Sequence, residues 1–309
     1  MTTGAVALAT AGSVVAGAAA ATVGAARDRW RARRRPADEI PVGDWVVADT
    51  PDDGHVTAQV FTALGQLRRT CLTQDLAPPG VELVLAGHGR LIIRLAQPTA
   101  VPHFMPGWRP EPGDASGRSW VVDAAELRGG DPAEAARTAY PMLVTLGTSD
   151  GWSVLSDLAL SPSPLGVGGD EATARRILDA LAFRLVANPW SREVEVVLGG
   201  LPEPTVPEPG RVRCYPDPAA AVAHAAGQEA ERPLVLLLSG PPTDSYSYSM
   251  ARHPNRAIVM VAGDAPSAWT VTRDGALRLE PHALRVDPEV AAVRRWQARL
   301  RATRTVAAP

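Results

Sequence analysis

Apolar residues recur along the chain at two spacings, and the change from one to the other outlines the fold. Val56, Val60, Leu64, Leu67 and Cys71 follow each other at three- and four-residue steps, which predicts an amphipathic helix over His55–Thr73, started by Asp53-Gly54 and stopped by Pro78-Pro79. The spacing then tightens to that of strands at Val81–Ala86 and Arg90–Leu95, joined through Gly87-His88-Gly89. A Pro- and Gly-rich stretch from Gln97 to Gly117 leads to a short strand at Ser119–Val122. Asp131-Pro132-Ala133-Glu134 opens a short helix that ends by Pro141, and Met142–Leu146 with Trp152–Leu160 makes a hairpin about Ser149-Asp150-Gly151. Asp170 caps a helix over Glu171–Ala187 whose buried stripe is Ala174, Ile177, Leu178, Leu181 and Leu185, and Asn188-Pro189 ends it.

From there the pattern becomes one of continuous apolar runs. Strands are predicted at Glu193–Leu198, Arg211–Cys214, Pro233–Leu238 and Ala257–Ala262, with a helix over Pro218–Gln228 and a weaker one at Ser245–Arg252. Apolar runs separated by helices are what parallel strands covered on both faces look like. The expectation is a mostly parallel β-α-β-α-β layer with right-handed crossovers, closed by an antiparallel hairpin at Trp269–Thr272 and Ala276–Leu279. Asp287-Pro288-Glu289 starts a last helix reaching about Arg301, with Val290, Val293, Trp296 and Leu300 near one face. Such a helix either docks on the body or lies on an anionic membrane surface, docking being the commoner outcome.

Before all of this stands a stretch of another kind. Gly4 to Ala26 is 23 residues without a charge, long enough as a helix to cross a bilayer core. Gly12, Ala16 and Ala20, with Gly17 and Ala21 beside them, are small residues at four-residue spacing and suit close approach of another transmembrane helix. Six arginines follow within nine residues, Arg27, Arg29, Arg31, Arg33, Arg34 and Arg35, and Trp30 sits among them as an interfacial anchor. Positive charge stays on the cytoplasmic side. The expectation is a single-pass segment in the cytoplasmic membrane with its N-terminus outside and the body inside. A cleaved signal peptide fits less well, because no basic residue precedes the run. The chain thus divides into a transmembrane helix (1–26), a basic juxtamembrane segment (27–39), a helix and β-hairpin lobe (40–128), an α/β domain (129–286) and a basic amphipathic helix (287–309).

Composition narrows the chemistry. All 31 basic residues are arginine. Without lysine there is neither a Walker-type phosphate loop nor a Schiff base, which excludes P-loop NTPases and pyridoxal-phosphate enzymes. The total charge is −2 while residues 27–39 and 287–309 carry +3 each, so the body over 40–286 carries −8. An acidic body argues against nucleic acid as a partner. Cys71 and Cys214 are read as buried thiols, and the six histidines form no metal-binding motif, so no metal and no cofactor is expected.

Two patterns remain as candidate chemistry. Gly147-Thr148-Ser149-Asp150-Gly151 matches G-x-S-x-G, but a nucleophile elbow needs a helix after it, and here a strand is predicted on either side. More interesting are Gly199-Gly200, Ser239-Gly240 and Gly263-Asp264. If their strands are parallel, all three pairs fall on the carboxyl edge, where open α/β sheets bind ligands, and Asp244 would join them in a small cleft. The simpler reading is that glycine ends strands and begins turns.

The stretch from Leu143-Val144-Thr145-Leu146-Gly147 through Gly169-Asp170 to Asn188-Pro189-Trp190, with RPLVLLLSGPP and AGDAPSAWTV further on, resembles a segment of large actinobacterial membrane proteins. Those proteins combine transmembrane helices, a LysM peptidoglycan-binding module and a bacterial transcriptional activator (BTAD) domain. The resemblance spans residues 55–286 loosely and implies a cytoplasmic segment with no catalytic residue to carry over. Neither the LysM module nor the activator domain is recognisable here, and Ala159 stands where the family has an acidic residue. The expected function is a non-enzymatic, membrane-tethered interaction module that binds a protein partner in envelope-linked signalling or assembly. The alternatives are a small-ligand or nucleotide-binding α/β domain and, behind it, a serine hydrolase acting through Ser149.

Overall fold

A computed structural model describes residues 54–103, 105–127, 140–161, 164–228, 232–242, 255–263 and 269–307. The predicted transmembrane helix, the basic segment after it and the helices placed at 131–140 and 245–252 lie outside the described residues, Tyr140 excepted. Among the described residues no helix is long and apolar enough to cross a membrane.

The first sheet is antiparallel throughout. Its strands are β1 (Val81–Gly87), β2 (Arg90–Leu95), β3 (Arg109–Pro110), β4 (Ser119–Asp123), β5 (Leu143–Ser149) and β6 (Trp152–Asp157), in the spatial order β3-β4-β2-β1-β6-β5. Both tight hairpins turn on two left-handed residues, His88 and Gly89 (φ 50° and 71°) and Asp150 and Gly151 (φ 48° and 80°). Paired positive φ values twist a two-residue turn in the same sense as the strands, so these turns hold the register. Helix α1 (Gly54–Thr73) covers one face of the sheet, burying Val60, Leu64, Leu67 and Cys71 against Val84, Ile93 and Trp120.

The second sheet holds β7 (Leu165–Gly168), β8 (Glu195–Gly199), β9 (Val212–Tyr215), β10 (Leu234–Leu238), β11 (Arg256–Gly263), β12 (Trp269–Val271), β13 (Leu277–Leu279) and β14 (Leu284–Val286), in the order β14-β13-β12-β7-β11-β10-β8-β9. From β12 to β9 every neighbouring pair is parallel, and β13 and β14 add an antiparallel edge. The mostly parallel layer is therefore as predicted, with helices on both faces. Val196, Leu198, Val235, Leu237, Ala257 and Val259 face α2 (Glu171–Ala187), while the alternating Val197, Leu236, Leu238 and Ile258 face Ala221, Val222 and Ala225 of α3 (Pro218–Gly227).

Helix α2 is shared by the two sheets. Val144, Leu146 and Val154 of the first sheet belong to the same core as α2 and the second sheet. Ten of its 17 residues are buried, against the five of the predicted stripe, because it is covered from two sides. Ala180 and Ala182 are among the residues so buried. Asp170 caps its start by accepting from the Thr173 N–H at 2.8 Å. Its end is closed by Arg211, which donates to the carbonyls of Val186 (2.9 Å), Leu185 (3.1 Å) and Ser191. A guanidinium there satisfies carbonyls that the helix leaves open and complements its dipole. Helix α4 (Val290–Ala307) lies beside α2, docked through Val290, Val293, Trp296 and Leu300.

Three sequence expectations change. The hairpin β5–β6, grouped by sequence order with residues 129–286, pairs with β1 and completes the first sheet, so the two sheets part after Asp157 rather than at residue 128. Strand β7 was not anticipated and sits between β11 and β12, while β14 extends the closing hairpin into a third strand. Cys214 is exposed on the edge strand β9, whereas Cys71 is buried and its thiol is pushed up to about 11 by that burial.

Candidate functional site

The connections of the parallel sheet single out one crevice. The chain leaving β8 turns outward to β9, while the chain leaving the adjacent β10 turns the opposite way to β11. Neighbouring strands whose connections diverge leave a gap outside their carboxyl ends, and open α/β sheets place ligands there. The residues at this gap are Gly199, Gly200, Ser239 and Gly240, four of the seven rim residues read from the sequence. Gly263 lies further along the same edge at the end of β11, where its carbonyl accepts from the Gly169 N–H at 2.8 Å. Asp244 and Asp264 lie outside the described residues, as do all of the membrane-anchor residues, Gly12, Ala16, Gly17, Ala20, Arg27, Trp30, Arg33, Arg34 and Arg35.

The glycines differ in what they do. A Cβ on Gly199 would meet Ala221 Cβ at 2.8 Å and Pro218 Cα at 2.9 Å, so this glycine lets the start of α3 close onto the strand end. Gly200 has φ 69°, and a Cβ there would stand 2.2 Å from Ser239 Oγ. The floor of the crevice is thus filled by Ser239, whose N–H also donates to the Gly199 carbonyl at 2.9 Å. These two glycines serve packing. Gly240 and Gly263 instead face open space.

The electrostatics of the crevice do not suit a phosphate. The N-terminus of α3 is beside it, but Asp217 already accepts from the Ala220 N–H at 2.8 Å, and Pro218 removes a further donor. A neutral or cationic ligand fits such a rim better than an anion.

Ser149 ends β5, and β6 follows after two residues, so the strand–turn–helix context of a nucleophile elbow is absent at this hairpin. Gly147, the first glycine of the motif, has another use: the chain at Asp287-Pro288 crosses directly over it. The sequence reading missed a histidine nearby. His88 Nε2 lies 3.0 Å from the Asp150 carbonyl oxygen. That oxygen can only accept, so Nε2 carries the proton and is not a free base. The ring packs edge-on against Trp152.

Two charged groups that the sequence did not mark are partly or wholly buried. Glu195, at the amino end of β8, is 5% exposed and stands 3.4–3.7 Å from Arg213, His224 and Arg232. Asp179, on α2, borders a cleft of about 430 Å³ with Thr205, Arg294, Gln297 and Arg301. Burial raises its carboxyl above the ordinary value, against the Gln297 amide that donates to it at 3.1 Å and the charges of Arg294 and Arg301. A raised folded-state value means that folding favours the protonated form, so the folded state loses stability as pH rises through that range. Asp179→Asn keeps an acceptor for Gln297 and removes the charge. Its melting temperature should exceed that of the parent at pH 7, and the gain should vanish as pH falls below the ordinary carboxylate range. Equal melting temperatures at pH 7 would count against a buried, costly charge.

Comparison with known proteins adds no relative: neither a family model nor a curated protein matches this sequence.

Proposed function

We propose that this chain is a membrane-tethered module whose folded body, on the cytoplasmic side, binds a protein partner without catalysing a reaction. The observation that carries this reading is the uncharged stretch from Gly4 to Ala26 followed at once by six arginines. The resemblance to the cytoplasmic segment of LysM- and BTAD-containing membrane proteins points the same way. The small residues at Gly12, Ala16 and Ala20 suit a second transmembrane helix as part of the partner. Affinity capture of the full chain from membranes dissolved in mild detergent should enrich one defined protein. Recovery of the chain in the soluble fraction after gentle lysis, or capture without enrichment in several detergents, would sink the proposal.

The crevice between β8 and β10 supports a second reading, in which the body binds a small ligand at its carboxyl edge. The diverging connections and the open space at Gly240 favour it. A thermal-shift screen separates the two readings. A metabolite that raises the melting temperature with concentration, as mass action requires, supports the ligand, and a flat response across neutral and cationic metabolites removes it.

A further inference from the structure

Helix α4 carries five arginines and no acidic residue over Val290–Ala307. Its inward face is Val293 and Gln297, 1% and 5% exposed, with Val290, Trp296 and Leu300 beside them. The opposite face exposes Ala291, Ala298 and Ala302 as a narrow strip, with Arg295 and Arg299 along one side and Arg294 along the other. Arg295 and Arg299 are one turn apart, and like charges at that spacing repel.

Elsewhere, several arginines have a carboxylate beside them. Arg90, Arg109, Arg175, Arg213, Arg278 and Arg285 each lie within 4 Å of a carboxylate. Among the described residues no such pair involves Arg294, Arg295 or Arg299, and Arg299 instead stacks over Trp296. Arg176 of α2 is also exposed and borders the same cleft as Arg294 and Arg295, a cleft that Asp287 and Glu289 line as well.

We infer that this face of α4 lies against an anionic bilayer, with the alanine strip toward the lipid and the arginines reaching sideways to lipid phosphates. Small apolar residues flanked on both sides by long cationic side chains suit a flat headgroup surface. A body that is acidic as a whole would be turned so that its basic helix faces the membrane. The inference rests on the tethered reading above.

The test is arginine footprinting by phenylglyoxal on the full chain in lipid nanodiscs, read by mass spectrometry. Modification of Arg294, Arg295 and Arg299 should slow by about fivefold in phosphatidylglycerol-rich discs relative to phosphatidylcholine discs, the size expected from the attraction of one arginine to an anionic leaflet. Arg213 and Arg278 should not change. The difference should disappear at about 0.5 M salt, where charges are screened within roughly 4 Å. Equal rates in both discs would overturn the inference while leaving the tether standing. Stronger protection by duplex DNA than by anionic lipid would overturn it in favour of a nucleic-acid partner. A chain that does not enter discs sinks the tether instead, and footprinting against added phosphatidylglycerol vesicles then decides the helix on its own.

Discussion

Gly147→Ala is expected to destabilise the protein by about 3–5 kcal/mol, read as a lowered urea midpoint, because it forces the final segment off the first sheet. The added methyl would stand 1.8 Å from the Asp287 carbonyl oxygen and 2.8 Å from Pro288 Cα, with φ at 150°. All of these are backbone atoms, so no side chain can swing away. Relief requires breaking the paired bonds between Thr148 and Asp287, at 2.9 and 2.7 Å. These bonds seat the start of α4, and with it the burial of Val286 and Val293. Gly275→Ala is the matching control: φ is 85°, but nothing stands within 4 Å, so only the conformational cost of about 1 kcal/mol applies. Similar losses for the two variants would show that the crossing at Gly147 is not the cause.

Arg184→Met should cost about 3 kcal/mol although it preserves side-chain volume. Arg184 is 1% exposed, and its guanidinium donates to the Leu146 carbonyl at 2.9 Å while standing 3.4 Å from Glu289 Oε2. One side chain on α2 therefore holds both β5 and the residue before α4. Removing it strands a buried carbonyl and takes away the attraction between its guanidinium and Glu289, itself 31% exposed. Adding Glu289→Gln to Arg184→Met should cost less than Glu289→Gln alone, since the attraction between the two charges is already gone. A single variant as stable as the parent would mean that the buried cation contributes nothing net, as can happen when desolvation cancels attraction.

Much of this fold was legible in the sequence. The helix over Glu171–Ala187 was bounded by its acidic cap and its Asn-Pro stop, and both hairpins were marked by turns that need left-handed residues. The parallel layer was announced by apolar runs such as Leu234–Leu238, buried on both faces. Strand β7 was hidden because Leu165–Gly168 is four residues long and half glycine, so it reads as loop until two parallel neighbours flank it. The place of β5–β6 was hidden for a different reason. A hairpin's own turn is local, but its partner strand β1 lies more than 50 residues away, and no local pattern records that choice. At the candidate site, the glycine-ended strands were readable, but which two of them flank the crevice depends on strand order. Arg184 and Asp179 were invisible for a similar reason: a helix covered from two sides buries residues that a one-sided stripe leaves out.

The position of β7 has a consequence for how the chain is made. Every strand of the first sheet has been made once Asp157 has been added, so that sheet can pair as it clears the ribosome while synthesis continues. Strand β7 follows almost immediately, yet its two neighbours, Arg256–Gly263 and Trp269–Val271, arrive nearly a hundred residues later. Until then both of its edges are open to pairing with other chains. A product that terminates prematurely before Arg256 would keep most of the polypeptide and still lack the middle of the second sheet.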